Sequence, residues 1–341
     1  MTNDIFDRSV AKHEREHTGG RLDLCLPNGR LNPAAVSWSR HPHITANLRG
    51  WGRRKRFEYW AITTPDLVFA FSFSHADYRG GLAMYFLDLH SLAEVNDGEA
   101  RWLPGRVDLP PTSGSAPMSR TGRHSSVRIT PHADGTLLEV RAKRLAARIE
   151  VLEPAGHESM GVVVPWNDRT FQYTRKDAGL HARGWVEVDG VRHDLPEELT
   201  WAALDHGRGR WPFHAVWNWG AGYGITDGHE IGIQLGAKWT DGTPSTENAL
   251  RIDGRIEKLS HAVEWIYDTS DFLRPWRFVG PQVDLEFTPV HNRHGETKKY
   301  FFSSREDQAF GYWNGSVTSA DGTVYAVRDV FGWAEEVERR W

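Results

Sequence analysis

The sequence predicts an all-β protein, with antiparallel strands arranged in barrels or sandwiches and few helices. One observation is a set of Asn-Gly and Asp-Gly pairs spread along the chain, which begin at residues 28, 97, 134, 189, 227, 241, 253, 314 and 321. Such pairs tolerate the positive φ angles of a tight hairpin turn. Between them lie short apolar segments, several of which alternate with polar residues as a sheet with one wet face requires. Long meanders of this kind close or stack to cover their edges.

The strands are expected in short segments throughout the chain. They are residues 57–63, 67–74, 81–89, 126–130, 136–142, 184–190, 230–236, 283–290 and 323–333. Residues 141–150 have some helical character, but Ile149 and Val151 continue a period of two, which favours a hairpin. The segment SREDQAF at 304–310 is a candidate for a single helical turn.

The chain length of 341 residues suits two domains or one large β unit. The segments EPAGHES and PWNDRT, between residues 153 and 170, have the composition of connectors. We therefore expect a polar N-terminal tail over residues 1–20, a barrel-like domain over 21–165, and a second barrel-like domain over 166–341.

Composition and charge exclude several classes of function. The net charge of -4 gives no electrostatic reason to expect a nucleic acid or an anionic membrane as partner. The basic run at 49–57 is typical of a solvated strand or turn. The single cysteine, Cys25, cannot form an intramolecular disulfide, which fits a reducing compartment. The first residues are charged, and no apolar stretch approaches the ~20 residues of a membrane helix, so we expect a cytoplasmic protein without stable membrane insertion. The oligomeric state is left open.

Tryptophan is the outlier of the composition, with 16 in the chain, and four of them lie within residues 201–219. Aromatic side chains exclude water, and a medium of low dielectric constant shifts the proton affinity of an ionisable group inside it. This segment therefore predicts an aromatic-lined ligand cavity. Its candidate binding residues are Trp201, Arg208, Trp211, Trp217 and Trp219.

Asp205 and His206 are the first candidate catalytic pair. Acid-catalysed addition of water to an alkene needs a proton donor in a dry pocket and aromatic faces that stabilise a carbocation. The alternative is structural, with Asp205 accepting backbone hydrogen bonds and Arg208 as its counter-ion. Adjacent strand residues point to opposite faces, so both reach one cavity only if a bulge intervenes, which Gly207 and Gly209 make plausible.

His75 and Asp77 form the second candidate pair. They follow a buried strand and share one face, as a histidine–carboxylate dyad requires, but a surface turn or ion pair would have the same pattern. Tyr78 lies beside them as a candidate ligand contact.

Tyr173, Lys176 and Asn248 are further candidate ligand contacts. Lys176 is alternatively an ion-pair partner, and Asn248 alternatively ties down a loop.

No cofactor or metal is expected. His41 with His43, and His291 with His294, have ligand-like spacings but lack further ligands at a recognisable interval. The glycines at 220–224 do not form a dinucleotide fingerprint, and neither a phosphate-binding loop nor a nucleophile elbow is present.

Two resemblances follow from these motifs. The order Gly184, Val188, Gly190, Trp201, Asp205, Trp217-x-Trp219 and Asp227-Gly228 resembles the centre of the AttH-like group, which includes carotenoid 1,2-hydratase (hydroxyneurosporene synthase). The segment Asp-x-Gly-Arg-Gly-x-Trp-Pro at 205–212 is similar to a bacterial family defined by a domain of unknown function, DUF2804. The segments 75–81, 173–184, 247–248 and 331–336 support this second resemblance, which spans nearly the whole chain.

The resemblances imply two lipocalin- or calycin-like barrels around an apolar site for an isoprenoid, acyl or similar molecule. The hydratase group has an acidic residue where this chain has Gly207, and a shorter spacing from Trp201 to Asp205. Three hypotheses therefore remain: a hydratase, cyclase or isomerase; a non-catalytic lipid or pigment carrier; and a glycan-binding or glycan-active protein.

Overall fold

The computed structural model describes residues 11–102, 109–299 and 302–340, and it confirms an all-β fold. Two 3-10 helices, η1 and η2, are its helical elements within those ranges. In chain order the elements are β1 Leu22–Asp23, η1 Pro33–Ala35, β2 Trp38–Ser39, β3 Ile44–Thr45, β4 Arg54–Thr63, β5 Leu67–Ala76, β6 Arg79–Asp88, β7 Glu94–Trp102, β8 Met118–Thr121, β9 Ser126–His132, β10 Gly135–Arg141, β11 Leu145–Leu152, β12 Met160–Pro165, β13 Phe171–Val188, β14 Val191–Leu195, η2 Glu197–Leu199, β15 Trp201–Arg210, β16 His214–Thr226, β17 His229–Ala237, β18 Ala249–Ile252, β19 Arg255–Lys258, β20 Glu264–Ile266, β21 Trp276–Gly280, β22 Val283–Lys299, β23 Phe302–Thr318 and β24 Val324–Arg340.

The described strands form two large antiparallel sheets in tandem. The main path of the first runs β7-β6-β5-β4-β15-β13-β11-β10-β9-β8, and the second runs β19-β18-β17-β16-β24-β23-β22-β21-β20. Each sheet curls around its own apolar core. Residues such as Trp60, Phe71 and Ile149 fill the first core, and residues such as Trp276 and Trp313 fill the second.

Several predicted hairpin turns are confirmed. Asp189-Gly190, Asp227-Gly228 and Asp253-Gly254 have positive φ at both residues and join β13–β14, β16–β17 and β18–β19. The hairpin predicted within 141–150 forms between β10 and β11. In contrast, Asn314-Gly315 lies inside β23, where the pairing with β24 shifts register at a bulge.

The helical turn predicted at 304–310 is wrong. These residues lie in β23, which pairs with β22 on one side and β24 on the other. The two neighbouring strands satisfy the backbone hydrogen bonds of the segment, so tertiary pairing overrides its polar local composition.

The change from one sheet to the other falls between Arg210 and His214. The predicted division at 165/166 instead lies between β12 and β13, which pair with each other. The DHGRGRWP segment, residues 205–212, is therefore the end of β15 and the start of the link between the two sheets.

Of the predicted tail, residues 1–10 lie outside the described residues. Lys12 and Glu14 are docked, because Lys12 Nζ donates to the Ser245 carbonyl at 2.8 Å and Glu14 pairs with Lys258 at 2.7 Å.

A third apolar cluster joins the two sheets. Small residues on the outer face of the first sheet, including Ala61 and Ala203, pack against large rings of the second sheet, including Tyr223 and Trp333. The candidate site lies beside this cluster, on the same strands β4, β15, β16 and β24. No helix in the described part of the chain is long and apolar enough to span a bilayer.

Candidate functional site

A cavity of about 390 Å³ lies between the outer face of the first sheet and the facing side of the second. Small-molecule pockets span roughly 300–1,000 Å³, so this space suits a compact organic ligand. The side chains that matter for its chemistry are Lys55, Phe57 and Tyr59 of β4, Gln172, Thr174 and Lys176 of β13, Asp205 of β15, Trp217 and Trp219 of β16, Glu306 of β23, Glu335 and Arg339 of β24, and Trp211, Trp239 and Glu247 from the loops.

The strand pleat of β15 places Asp205 in the cavity and His206 on the opposite face. The pairing with β13 keeps a continuous register from Phe171 to Ala178, so the predicted bulge near Gly207 is absent. Gly207 has a different role. A Cβ atom there would lie 2.1 Å from the Phe57 ring, so the missing side chain makes room for that ring.

Asp205 is part of a buried ion pair. Its Oδ2 lies 2.7 Å from Lys176 Nζ, and its Oδ1 accepts a hydrogen bond from the Thr174 hydroxyl at 2.9 Å. Lys176 Nζ also lies 3.3 Å from Glu247 Oε2 and 4.1 Å from the centroid of the Trp219 ring. Burial opposes the charged lysine, but Asp205 and then Glu247 outweigh it and raise the pKa of Lys176. The ammonium group is therefore retained inside the cavity.

Glu247 is a buried acid close to neutrality. Burial, with a further contribution from the Asp205 carboxylate, raises the pKa of Glu247 to about 7, and Lys176 opposes the shift. The Trp239 indole donates a hydrogen bond to its Oε1.

Glu335 is the second acid with a high proton affinity. Burial and the neighbouring Glu306 carboxylate raise the pKa of Glu335 to about 8. The Trp217 indole donates a hydrogen bond to Glu335 Oε1 at 3.1 Å. Glu306 itself lies 2.8 Å from Arg339 and 3.6 Å from Arg293, and these two arginines lower its pKa although burial opposes them. At neutral pH the site therefore combines an ionised Glu306 with a largely protonated Glu335.

The structure brings part of the predicted site together. Asp205, Lys176, Trp211, Trp217, Trp219, Tyr78 and His75 line the cavity. Trp211 donates a hydrogen bond to Gln172 Oε1 at 2.7 Å and stacks on Trp239, with ring centroids 6.2 Å apart. Trp211 also contacts Trp217 edge to face, so Trp211, Trp217 and Trp239 form a continuous aromatic wall.

The predicted dyad of His75 and Asp77 does not form. His75 Nδ1 lies 2.9 Å from Arg56 Nη2. The Asp77 carboxylate accepts hydrogen bonds from the Gly52 amide at 2.6 Å and from Arg54 Nε at 2.8 Å. Asp77 has a φ of 51°, so it serves the turn between β5 and β6, as the alternative reading held.

His206, Arg208 and Tyr173 lie on the opposite face of the sheet from the cavity. His206 Nδ1 lies 2.6 Å from Glu58 Oε1. Burial and then Arg208 lower the pKa of His206 to about 4, so its imidazole is neutral at pH 7. Arg208 donates to the Phe57 carbonyl at 2.7 Å, and the Tyr173 ring packs against His206. This polar cluster is separated from the cavity by the sheet itself.

Trp201 and Asn248 also lie away from the cavity. The Trp201 ring packs against the His181 ring in a tilted arrangement, with centroids 4.2 Å apart. Asn248 accepts a hydrogen bond from the Gly236 amide at 2.8 Å and donates one to the His261 carbonyl at 3.0 Å. Asn248 therefore ties down a loop.

Sequence reasoning missed several side chains that reach the cavity from other strands, which are Lys55, Tyr59, Glu306, Glu335 and Arg339. One signal was available for Glu335, which lies in the closing segment 331–336 and shares a strand face with Trp333. Among the described residues, no three histidine, cysteine or acidic side chains are placed to hold a metal ion.

A model of the family described as a domain of unknown function, DUF2804, matches residues 14–341. The chain belongs to the DUF2804 family. Two solved structures share the fold of this DUF2804 protein. Kievitone hydratase from Nectria haematococca is 10% identical with a TM-score of 0.53, and the match covers 97% of this chain and 98% of that one. A protein assigned as an AttH from Nitrosomonas europaea is 12% identical with a TM-score of 0.50, over 84% of this chain and 92% of that one.

At these identities the likeness establishes the fold alone, which confirms the tandem lipocalin-like architecture of the DUF2804 chain. No curated protein matches the chain by sequence.

Proposed function

We propose that this DUF2804 protein binds a hydrophobic small molecule, isoprenoid, acyl or similar, in the cavity between its sheets and transforms it by acid catalysis. The reaction is a hydration, a cyclisation or an isomerisation. The observation that carries the proposal is the place of Glu335, a buried acid that accepts a hydrogen bond from the Trp217 indole in a cavity walled by tryptophans. Burial raises its pKa to about 8, which favours the protonated form at neutral pH.

Glu335 has the properties of a general acid. Its carboxyl group donates a proton to an alkene carbon, so an O–H bond breaks, a C–H bond forms and a carbocation remains on the neighbouring carbon. Trp217 and Trp219 stabilise that positive charge through the sides of their indoles that Arg339 and Lys176 do not cover. Attack by water and loss of a proton from the resulting oxonium ion give an alcohol. Attack by a second double bond gives a cyclic carbocation, which loses a proton to form a ring with a new double bond, and direct loss of a different proton gives an isomer. In each outcome the released proton returns to a carboxylate of the cavity.

Asp205 has a positioning role in this scheme. The sequence suggested it as the proton donor, but its 2.7 Å contact with Lys176 gives it the geometry of an ion-pair partner. It holds the ammonium group beside Glu247 and Trp219, and this charge contributes to the polarity at the inner end of the cavity.

The remaining hypotheses have less support. Kievitone hydratase, which shares the fold, is a hydratase by name, and this favours the first hypothesis. A glycan site would place coplanar tryptophans on an open groove, whereas Trp211, Trp219 and Trp239 are buried. A carrier would need no protonated acid at the ligand, and it therefore serves as the competing outcome of the experiment.

Native mass spectrometry of the purified protein identifies an apolar molecule that co-purifies. That molecule is then incubated with the protein in D₂O and analysed by mass spectrometry. We expect a gain of one water or exchange of deuterium into carbon positions, and loss of either change in Glu335→Gln. Glu338→Gln is the matched control, since Glu338 pairs with His214 on the exterior. Bound molecule without chemical change would identify a carrier.

A further inference from the structure

Three cationic side chains, Lys55, Arg79 and Arg339, line one part of the cavity. Lys55 Nζ lies 4.6 Å from the centroid of the Trp211 ring, and Arg339 Cζ lies 5.2 Å from that of Trp217. The two indoles contact each other edge to face, with centroids 5.6 Å apart. Arg79 and Phe302 also line the cavity, and Arg79 lies over the Phe302 ring at 4.4 Å. Aromatic rings thus lie against three basic side chains around one space.

A positive charge on one of these groups disfavours the protonated form of the others. Burial, and then Arg339, hold the pKa of Lys55 well below its ordinary value. The same two causes lower the pKa of Arg79. Arg339 is paired with Glu306, but Glu306 also faces Arg293. One carboxylate therefore neutralises two arginines only in part. An anion placed among these side chains relieves their repulsion.

The cationic cluster lies where the cavity adjoins a second depression. Lys55, Tyr78 and Trp211 line both spaces, and the second is bordered by the exposed rings of Trp51 and Phe213. The cluster therefore marks the entrance end of the cavity.

The acid and the cations lie at different positions along the length of the cavity. Glu335 and Arg339 are four residues apart on β24 and share one face, which separates their Cα atoms by ~13 Å at ~3.3 Å per residue. On β4, Tyr59 and Lys55 have the same spacing, with Tyr59 opposite Asp205. A single elongated molecule spans this distance.

We propose that the ligand is an anionic amphiphile, with a carboxylate or phosphate head that binds Lys55, Arg79 and Arg339. Its apolar chain extends along the aromatic wall towards Trp219 and Glu335. This inference rests on the proposed function and defines the substrate class of that site. It also explains why a protein of net charge -4 gathers cations in its cavity.

Four probes with a straight chain of ten carbons test the head group: decanoate, decyl phosphate, decanol and decyltrimethylammonium. Binding to the full chain is measured by quenching of tryptophan fluorescence. We expect both anions to bind the wild-type protein at least about tenfold more tightly than decanol, because charge-assisted hydrogen bonds are the strongest polar contacts. The cationic probe should bind most weakly. The tighter of the two anions identifies the head.

The double variant Lys55→Met/Arg79→Met should bind decanoate and decanol with affinities within about twofold of each other, with decanol affinity retained. Retained decanol binding also reports that the variant is folded. Arg53→Met is the control for a general electrostatic field, because Arg53 lines the outer depression and not the cavity. It removes one positive charge outside the cavity, whereas the double variant removes two inside it.

Equal binding of decanol and the anions to the wild-type protein would overturn the anionic head and leave the proposed function standing. An equal loss of anion preference in Arg53→Met would overturn the specific cluster, since a general field would then account for it. If none of the probes binds, the hydrophobic cavity itself is refuted.

Discussion

Replacing Lys176 by methionine tests the buried ion pair that organises the inner end of the cavity. The variant removes the ammonium group that lies 2.7 Å from Asp205 and 3.3 Å from Glu247. Methionine preserves most of the side-chain volume, so the change is chiefly one of charge. Asp205 then remains in a site where its side chain is 13% exposed.

The size of the effect follows from this burial. Removing one partner of a buried pair costs ~3–5 kcal/mol, because the other charge is left uncompensated. Glu247 contributes little to this cost, because its pKa of about 7 lets it take up a proton and lose its charge. Asp205 keeps the Thr174 hydrogen bond and some contact with solvent. We therefore expect a loss at the lower end of this range, ~3 kcal/mol in the free energy of unfolding at pH 7.

Urea denaturation followed by tryptophan fluorescence measures this loss. Lys298→Met is the matched control, because Lys298 pairs with Glu296 at an exposed site, where such a pair contributes ~1 kcal/mol or less. The double variant Lys176→Met/Asp205→Leu should recover most of the stability, since apolar replacement of both partners is often neutral.

A loss no larger than that of Lys298→Met would refute the reasoning. So would a double variant that is no more stable than Lys176→Met alone, because the cost would then not arise from an uncompensated Asp205.

Three further predictions concern pH and packing. The pKa of Glu335 is raised from 4.5 to about 8, so between these pH values the folded protein binds more protons than the unfolded chain, and wild-type stability falls as pH rises. Glu335→Gln should remove this decline. A difference in urea midpoint between the wild-type protein and the variant that does not change with pH would contradict the prediction. The pKa of His206 is lowered from 6.5 to about 4, so the unfolded chain binds more protons than the folded protein between these pH values, and stability is lost as pH falls. In His206→Gln the thermal melting temperature should depend less on pH in this range. Parallel curves of melting temperature against pH for the wild-type protein and the variant would count against the prediction. Gly207→Ala should lower the free energy of unfolding by ~1–3 kcal/mol and weaken ligand binding, because the added Cβ displaces the Phe57 ring into the cavity. Gly295→Ala is the control, since a Cβ there meets no atom within 4 Å. Equal effects of the two substitutions would disprove the clash.

The fold was largely predictable because its signals are local. Alternation of apolar and polar residues fixed most strands, and Asp-Gly pairs with two positive φ angles fixed several hairpins. The segment at 304–310 was mispredicted because its conformation depends on β22 and β24, which are distant in sequence. The same dependence explains why the change of sheet at Arg210 could not be located from composition.

The site was predictable only where one stretch of chain contributes several side chains. Trp217 and Trp219 were found because tryptophans and ionisable residues are concentrated between residues 201 and 219. The period of two also required Asp205 and His206 to point apart, but it could not say which of them faces the ligand. Glu335 and Lys55 reach the cavity through the sheet order, which local sequence does not encode.

The protonation of Glu335 is the direct test of an acid-catalysed reaction in this cavity. Carbon-13 NMR of the glutamate carboxyl groups, assigned by comparing the wild-type protein with Glu335→Gln and Glu247→Gln, follows each titration. The structure predicts that Glu335 titrates near pH 8 and Glu247 near pH 7. Titration of both near the ordinary value of 4.5 would leave the cavity without a proton donor at neutral pH and would contradict the proposed function.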